Sequence, residues 1–352
     1  MKGASCRLSV YLQGQSNEVR RGTILKIAIF DTHQFEKPLI EKLNLAFSNE
    51  LTFFTSALNS ETVHAAEGFT CICSHLNDKL DSQVLTQLKK QGVKLIALRS
   101  AGFNHVDLKS AAQNGIKVVR VPAYSPYAVA EYAVMLMLAL NRKICKASIR
   151  VHELNFSLEG LIGFDLNGKT IGLIGTGRIG SVMAKIMKGF GCQILAFDAK
   201  PNPDLEVTYT SIDKIFQSSD IITLHIPLSP PTKHLIDKLA ISKMKKGVML
   251  INTGRGALID AKALIDGLKS GQVGSAGLDV YEEEEKIFSQ DLSNSILQDD
   301  ILARLMTFPN VLITAHQAFL TNEALHNIVQ TTLQNIQDFE KNIPLKNEVL
   351  EI

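Results

Sequence analysis

Short runs of apolar, largely β-branched residues recur along the chain with helical stretches between them, and this alternation limits the fold more than any other feature. The first series of runs covers 26–30, 51–54, 70–73, 94–98 and 117–121. A second series covers 170–174, 193–197, 221–225, 248–252, 275–279 and 311–314. Strands buried on both faces lose the polar alternation of half-exposed ones, so continuous runs separated by helices predict parallel sheets covered by helices. Two such series in 352 residues predict two α/β domains. Between them two prolines, Pro122 and Pro126, break the rhythm, and 127–146 then reads as one long apolar helix at the domain boundary. Residues 321–341 carry apolar side chains at helical spacing and are expected to pack back on the first domain. Residues 1–24 have no such periodicity and read as a disordered extension ahead of the first strand.

Composition removes several classes of function. With 45% apolar and 20% charged residues the chain has enough core-forming side chains to fold. Lys and Arg number 37 against 35 Asp and Glu, with no basic stripe, so nucleic acid is not an expected partner. The longest apolar stretch, 128–140, is interrupted by Glu131 and falls short of the about 20 residues a membrane span needs. The five cysteines at 6, 71, 73, 145 and 192 form no CxxC pair and no Cys/His spacing that closes a zinc site. A reducing cytoplasm is therefore expected, and no metal. No HExxH, Walker loop or GxSxG is present, which argues against hydrolases and phosphotransferases.

The chemistry is carried by Gly175-Thr176-Gly177-Arg178-Ile179-Gly180, which follows one apolar run directly and opens a helix. In a GxGxxG at this junction the glycines allow the tight turn, the approach of a pyrophosphate and close helix packing, while the helix N-terminus supplies amide donors. Asp198 lies at the end of the next run, where a carboxylate accepts from a ribose diol and repels a 2'-phosphate; NAD is the expected cofactor. Arg255 follows the run 248–252 and His316 the run 311–314, so both fall at carboxyl ends of strands, where such folds bind ligands. Glu284 lies in the acidic run 282–285. Taken singly these are a loop cation, a structural histidine and a solvated face. Together they supply one crevice with a planar fork for a carboxylate and a proton donor beside a nicotinamide. His225, ahead of Pro227 at another strand end, is expected to shape the cofactor pocket.

With these residues in view, the chain resembles the D-2-hydroxyacid dehydrogenase family, most closely its fermentative D-lactate branch, from Lys26 to the C-terminal helix. The stretches that carry the resemblance are 174–180, 252–256, 277–282 and 314–321. The resemblance implies that Arg255 binds and polarises the substrate, that His316 is the acid/base and that Glu284 pairs with it. It implies further that the backbone of Ser100, Ala101 and Gly102 holds the substrate carboxylate, that Tyr124 reaches it from the domain junction and that Phe319 lines the pocket. Asp279 is implied on the nicotinamide side, and Thr253 and Gly254 are implied among the cofactor-binding residues. The stretch 292–305 matches an insert of the lactate branch.

The same resemblance implies a Rossmann NAD-binding domain, 123–320, inserted into a flavodoxin-like substrate domain made of 25–122 and 321–352. It also implies a homodimer, with a tetramer as the alternative. The implied reaction is NADH-dependent reduction of pyruvate to D-lactate. Its rivals are a dehydrogenase for a bulkier 2-keto acid and, from another class, a non-catalytic NAD-sensing regulator of the corepressor type.

Overall fold

A computed structural model describes residues 25–284, 287–288 and 290–350; the extension expected over 1–24 lies outside the described residues. The first sheet is formed by β1 (Lys26–Ile29), β2 (Glu50–Phe53), β3 (Cys71–Ser74), β4 (Leu95–Leu98) and β5 (Lys117–Val119), all parallel, in the order β2-β1-β3-β4-β5. Every residue of β3 and β4 is buried, as their unbroken apolar sequences require. One face packs on the helix Asn322–Glu340 through Val329, Leu333 and Ile336 against Ile27, Ile29 and Leu95. The other face is covered by Val84, Leu85 and Leu88 of the helix Ser82–Lys90, which meet Ile72, Ile96 and Leu98.

The second sheet consists of β6 (Thr170–Ile174), β7 (Gln193–Phe197), β8 (Thr208–Tyr209), β9 (Ile221–Leu224), β10 (Val248–Asn252), β11 (Val273–Leu278) and β12 (Val311–Ile313). Its order is β12-β11-β10-β9-β6-β7-β8, again parallel throughout. This is the doubly wound dinucleotide-binding order extended by one strand. The sequence reading finds six of the seven strands; the two-residue β8 is too short to leave a periodic signal.

One expected element is corrected. The single helix read over 127–146 is two, Pro126–Asn141 and Ile144–His152, separated by Lys143 in left-handed backbone (φ 49°). The break has a tertiary cause. The Asn141 side chain donates to the Phe164 carbonyl (2.7 Å) and accepts from the Phe164 amide (2.8 Å), which fixes the returning chain under the end of the first helix. No local feature of composition announces that contact. The first helix begins where a cap allows it, with Ser125 Oγ accepting from the Ala128 amide and Pro126 in the first turn. Among the described residues no helix is long and apolar enough to cross a membrane.

Candidate active site

Two adjoining cavities, about 320 and 370 Å³, lie between the carboxyl ends of the two sheets, and both are lined by Gly102, Arg255, His316 and Phe319. On the nucleotide side, Gly175 turns the chain after β6 with φ 96°, and a Cβ there would overlap the His225 carbonyl. A Cβ on Gly180 would overlap the Gly175 carbonyl, whereas one on Gly177 would meet nothing within 4 Å. The turn is thus closed against the sheet and open toward a ligand, at the N-terminus of the helix Arg178–Gly189. Ile179, His225 and Pro227 line the 370 Å³ cavity with Thr253 and Gly254. His225 bonds Thr223 Oγ1 through Nε2 (2.9 Å), and burial pushes its pKa down to about 4, so the ring is a neutral wall.

Asp198 follows β7, with Oδ2 accepting from the amide (2.6 Å) and hydroxyl (3.0 Å) of Thr176 and Oδ1 from the Lys200 amide (2.8 Å). Burial works to raise this carboxyl, but the Lys200 and Thr176 donors outweigh it and hold it below the ordinary value. Tyr209, in the strand the sequence reading lacks, donates to Thr176 Oγ1 (3.0 Å) and steadies the same corner.

Arg255 leaves the end of β10 on a turn held by Asn252, whose side chain accepts from the Gly254 amide (3.0 Å) and donates to the Arg255 carbonyl (2.8 Å). Its guanidinium reaches across to the loop after β4 of the first sheet and lies so close to Gly102 that a Cβ there would overlap Nη2. The loop after β4 has its three carbonyls engaged on its own side: Ser100 O accepts from the Val121 amide, Ala101 O from Arg120 Nη1 (2.8 Å) and Gly102 O from Ser100 Oγ (2.7 Å). Ser100, Ala101 and Gly102 line the cavity together with Tyr124 and Phe319. Those two rings meet edge to face at 6.3 Å, and burial pushes the Tyr124 phenol up against the opposing charge of Arg255.

His316 follows β12 in left-handed backbone (φ 52°), a strained conformation for a side chain of this kind. Its Nδ1 is 2.6 Å from Glu284 Oε1, while Glu284 Oε2 accepts from the Tyr281 amide (2.8 Å). Glu282, two residues away, turns instead to His234 (2.7 Å). The acidic run therefore has two different jobs, and Glu284 is the member that meets His316.

Asp279, implied on the nicotinamide side, sits under the loop that carries His316. Its buried carboxylate accepts from Thr314 Oγ1 (2.6 Å) and from the amides of Gln317 (2.9 Å) and Ala318 (2.8 Å), and its carbonyl accepts from the His316 amide (2.7 Å). It fastens the loop that carries His316. Sequence reasoning also misses His105, which lines the 320 Å³ cavity with a buried Nε2 that has no partner among the described residues. Burial, with His75 and Arg255 nearby, pushes its pKa down to about 4. A histidine between Asn104 and Val106 carries no signal of this; only the fold shows it.

The residues present fit a dinucleotide. The glycine turn leaves open space at Gly177, and the Thr253 hydroxyl is buried beside the cavity with no partner among the described residues, a group that a ligand must satisfy.

Comparison with known proteins agrees with this geometry. Residues 134–318 match the family model of the D-isomer specific 2-hydroxyacid dehydrogenase, NAD binding domain. The chain is 52% identical to 2-hydroxyacid dehydrogenase homolog 1 of Schizosaccharomyces pombe over 319 residues, 90% of this chain and 96% of that protein. It is 50% identical to D-lactate dehydrogenase of Escherichia coli over 329 residues, 93% of this chain and all of that protein. The solved structure of the pyruvate reductase of Chlamydomonas reinhardtii superposes with a TM-score of 0.88 at 45% identity, covering 93% of this chain and 99% of that one. With its NAD-binding domain matched and its relatives covered over nearly their whole length, the chain belongs to the D-isomer specific 2-hydroxyacid dehydrogenases.

Proposed function

We propose that the protein is a D-lactate dehydrogenase that reduces pyruvate to D-lactate with NADH. The observation that carries this reading is the meeting, on one cavity, of the Arg255 guanidinium laid against Gly102 and the imidazole of His316 paired with Glu284. NADH, when bound, supplies the hydride that the keto carbon receives. Arg255 takes the substrate carboxylate on its planar fork, with the loop of Ser100, Ala101 and Gly102 on the other side, and its charge steadies the developing alkoxide. Protonated His316 gives its proton to the carbonyl oxygen, and Glu284 keeps the ring turned toward that oxygen while balancing its charge. Thr253 and Gly254, with His225 and Pro227, form the wall for the nicotinamide half, and Asp198 meets the adenosine ribose.

The reading includes a molecular organisation. The Rossmann domain would span 123–320 and the substrate domain 25–122 with 321–352, so that the reacting groups come from both. A homodimer is supported by the arm after Asn141, where Leu154, Phe156, Leu158 and Ile162 are 70–86% exposed, an apolar surface of the kind that partners cover. Among the described residues four cysteines are unpaired, three of them buried, which suits the cytoplasm.

Steady-state oxidation of NADH by the purified chain with a panel of 2-keto acids tests the assignment. Pyruvate should be the best substrate, and the product should be D-lactate by chiral analysis. NADH should exceed NADPH by at least roughly tenfold in kcat/KM, because Asp198 opposes a 2'-phosphate. Preference for a branched-chain or aryl keto acid would replace the substrate. NAD binding without turnover of any keto acid would favour the regulator.

A further inference from the structure

We propose that Asp31, His33 and His75 bind a divalent transition-metal ion in the crevice between β1 and β3, on the substrate-domain wall of the cleft. Asp31 Oδ2 lies 3.1 Å from His75 Nδ1 and 3.9 Å from His33 Nε2, and the three ligand atoms all lie within 4.8 Å of one another. A tetrahedral zinc ion with bonds of about 2.0–2.1 Å spaces its donors about 3.4 Å apart. The side chains therefore need only small rotations to close on an ion. Two imidazole nitrogens with one carboxylate oxygen select Zn²⁺, Co²⁺ or Ni²⁺ over Mg²⁺ and Ca²⁺, which demand oxygen.

The place is one that the topology opens. In the order β2-β1-β3-β4-β5, connections leave β1 and β3 in opposite directions, so their carboxyl ends form the switch-point crevice where folds of this order bind ligands. The substrate loop of the proposed reaction follows β4, whereas these three side chains follow β1 and β3. His33 and His75 also line the 320 Å³ cavity, so the coordination position left by three protein ligands faces the cleft.

The three ligands are held before any ion arrives. Asp31 sits in left-handed backbone (φ 48°), strain that persists only where the surroundings impose it. Here they do: its carbonyl accepts from the buried Arg99 Nη2 (3.0 Å) and its amide donates to Ser56 O (3.0 Å). Arg99 pairs with buried Glu36 (3.0 Å), and the same Glu36 oxygen accepts from the His33 amide (3.0 Å). One buried ion pair thus fixes the backbone of two ligands. Asn77 donates to Asp31 Oδ2 (2.9 Å), and the His33 ring stacks on Phe35 at 5.2 Å. Outer contacts of this kind orient ligands and tune metal sites.

The test uses the full-length, tag-free chain after treatment with a chelator. Titration with Co²⁺, followed by its visible absorption and by displacement with Zn²⁺, should show about one equivalent per chain. His33→Gln, His75→Gln and Asp31→Asn should each weaken binding by at least roughly tenfold. Zn²⁺ should raise the thermal midpoint of the parent and not of these variants. His234→Gln, which alters the separate pair with Glu282, should leave binding as it is. Should Asp31→Asn fail to fold, the two histidine variants carry the comparison. Binding that survives all three substitutions, binding lost in His316→Gln instead, or no binding at submillimolar metal would overturn the proposal.

Discussion

His316 shows how a single residue is prepared for chemistry. Left-handed backbone at a histidine costs on the order of 1 kcal/mol or more, and the buried Asp279 offsets that cost by accepting three hydrogen bonds from the loop around it. Its neighbour across the cavity, His225, is prepared in the opposite sense, as a neutral wall with its pKa pushed down to about 4 by burial. The sign of its effect on stability follows. The unfolded chain takes up a proton at His225 near the ordinary value of about 6.5, while the folded chain does not until about 4. Its contribution is intact above that window and is lost as pH falls through it, up to about 3 kcal/mol. Asp78, buried and pushed up to about 6, acts in the other direction over the same range, so the slope of the parent alone decides nothing. His225→Gln keeps a hydrogen-bonding group for Thr223 Oγ1 and removes the titration. Urea unfolding of this variant should therefore lose less stability between pH 6.5 and 4 than the parent, and equal losses would show that the ring is not held neutral.

At the scale of elements, what was legible in the sequence was what local pattern determines. Continuous apolar runs announce strands buried on both faces, and the glycine turn announces the junction of β6 with its helix. What stayed hidden depends on distant contacts. Lys143 breaks a helix because Asn141 is bonded to Phe164, His105 loses its partners only when the cavity forms, and Asp31 meets His75 only when β1 pairs with β3. Glu284 and His316, 32 residues apart, stand out by their positions in the sequence, but only the resemblance implies that they pair, and periodicity alone does not place them together. The loop after β4 offers a test of element packing. A Cβ on Gly102 would overlap the guanidinium of Arg255, so Gly102→Ala must displace the end of that side chain. KM for pyruvate should rise by roughly tenfold or more while NADH affinity, read by fluorescence, stays within a few-fold. An unchanged KM would mean that Arg255 does not meet the substrate beside Gly102.

For the whole molecule, the site exists only because two sheets present their carboxyl ends to one cleft, with Arg255 and His316 from one and Gly102 from the other. The exposed apolar arm after Asn141 gives the proposed dimer its measurement. Light scattering should find the parent as a dimer, and Leu154→Glu combined with Phe156→Ser should shift it toward monomer; a monomeric parent would leave the arm without that role. The central claim, that His316 carries the reacting proton, is tested most directly by initial rates in both directions across pH. Pyruvate reduction needs the ring protonated and D-lactate oxidation needs it neutral. Reduction should therefore decline and oxidation increase as pH rises, and His316→Gln should lose both by on the order of a hundredfold to ten-thousandfold at every pH. Limbs that run in the same direction, or a His316→Gln protein within a few-fold of the parent, would contradict the account.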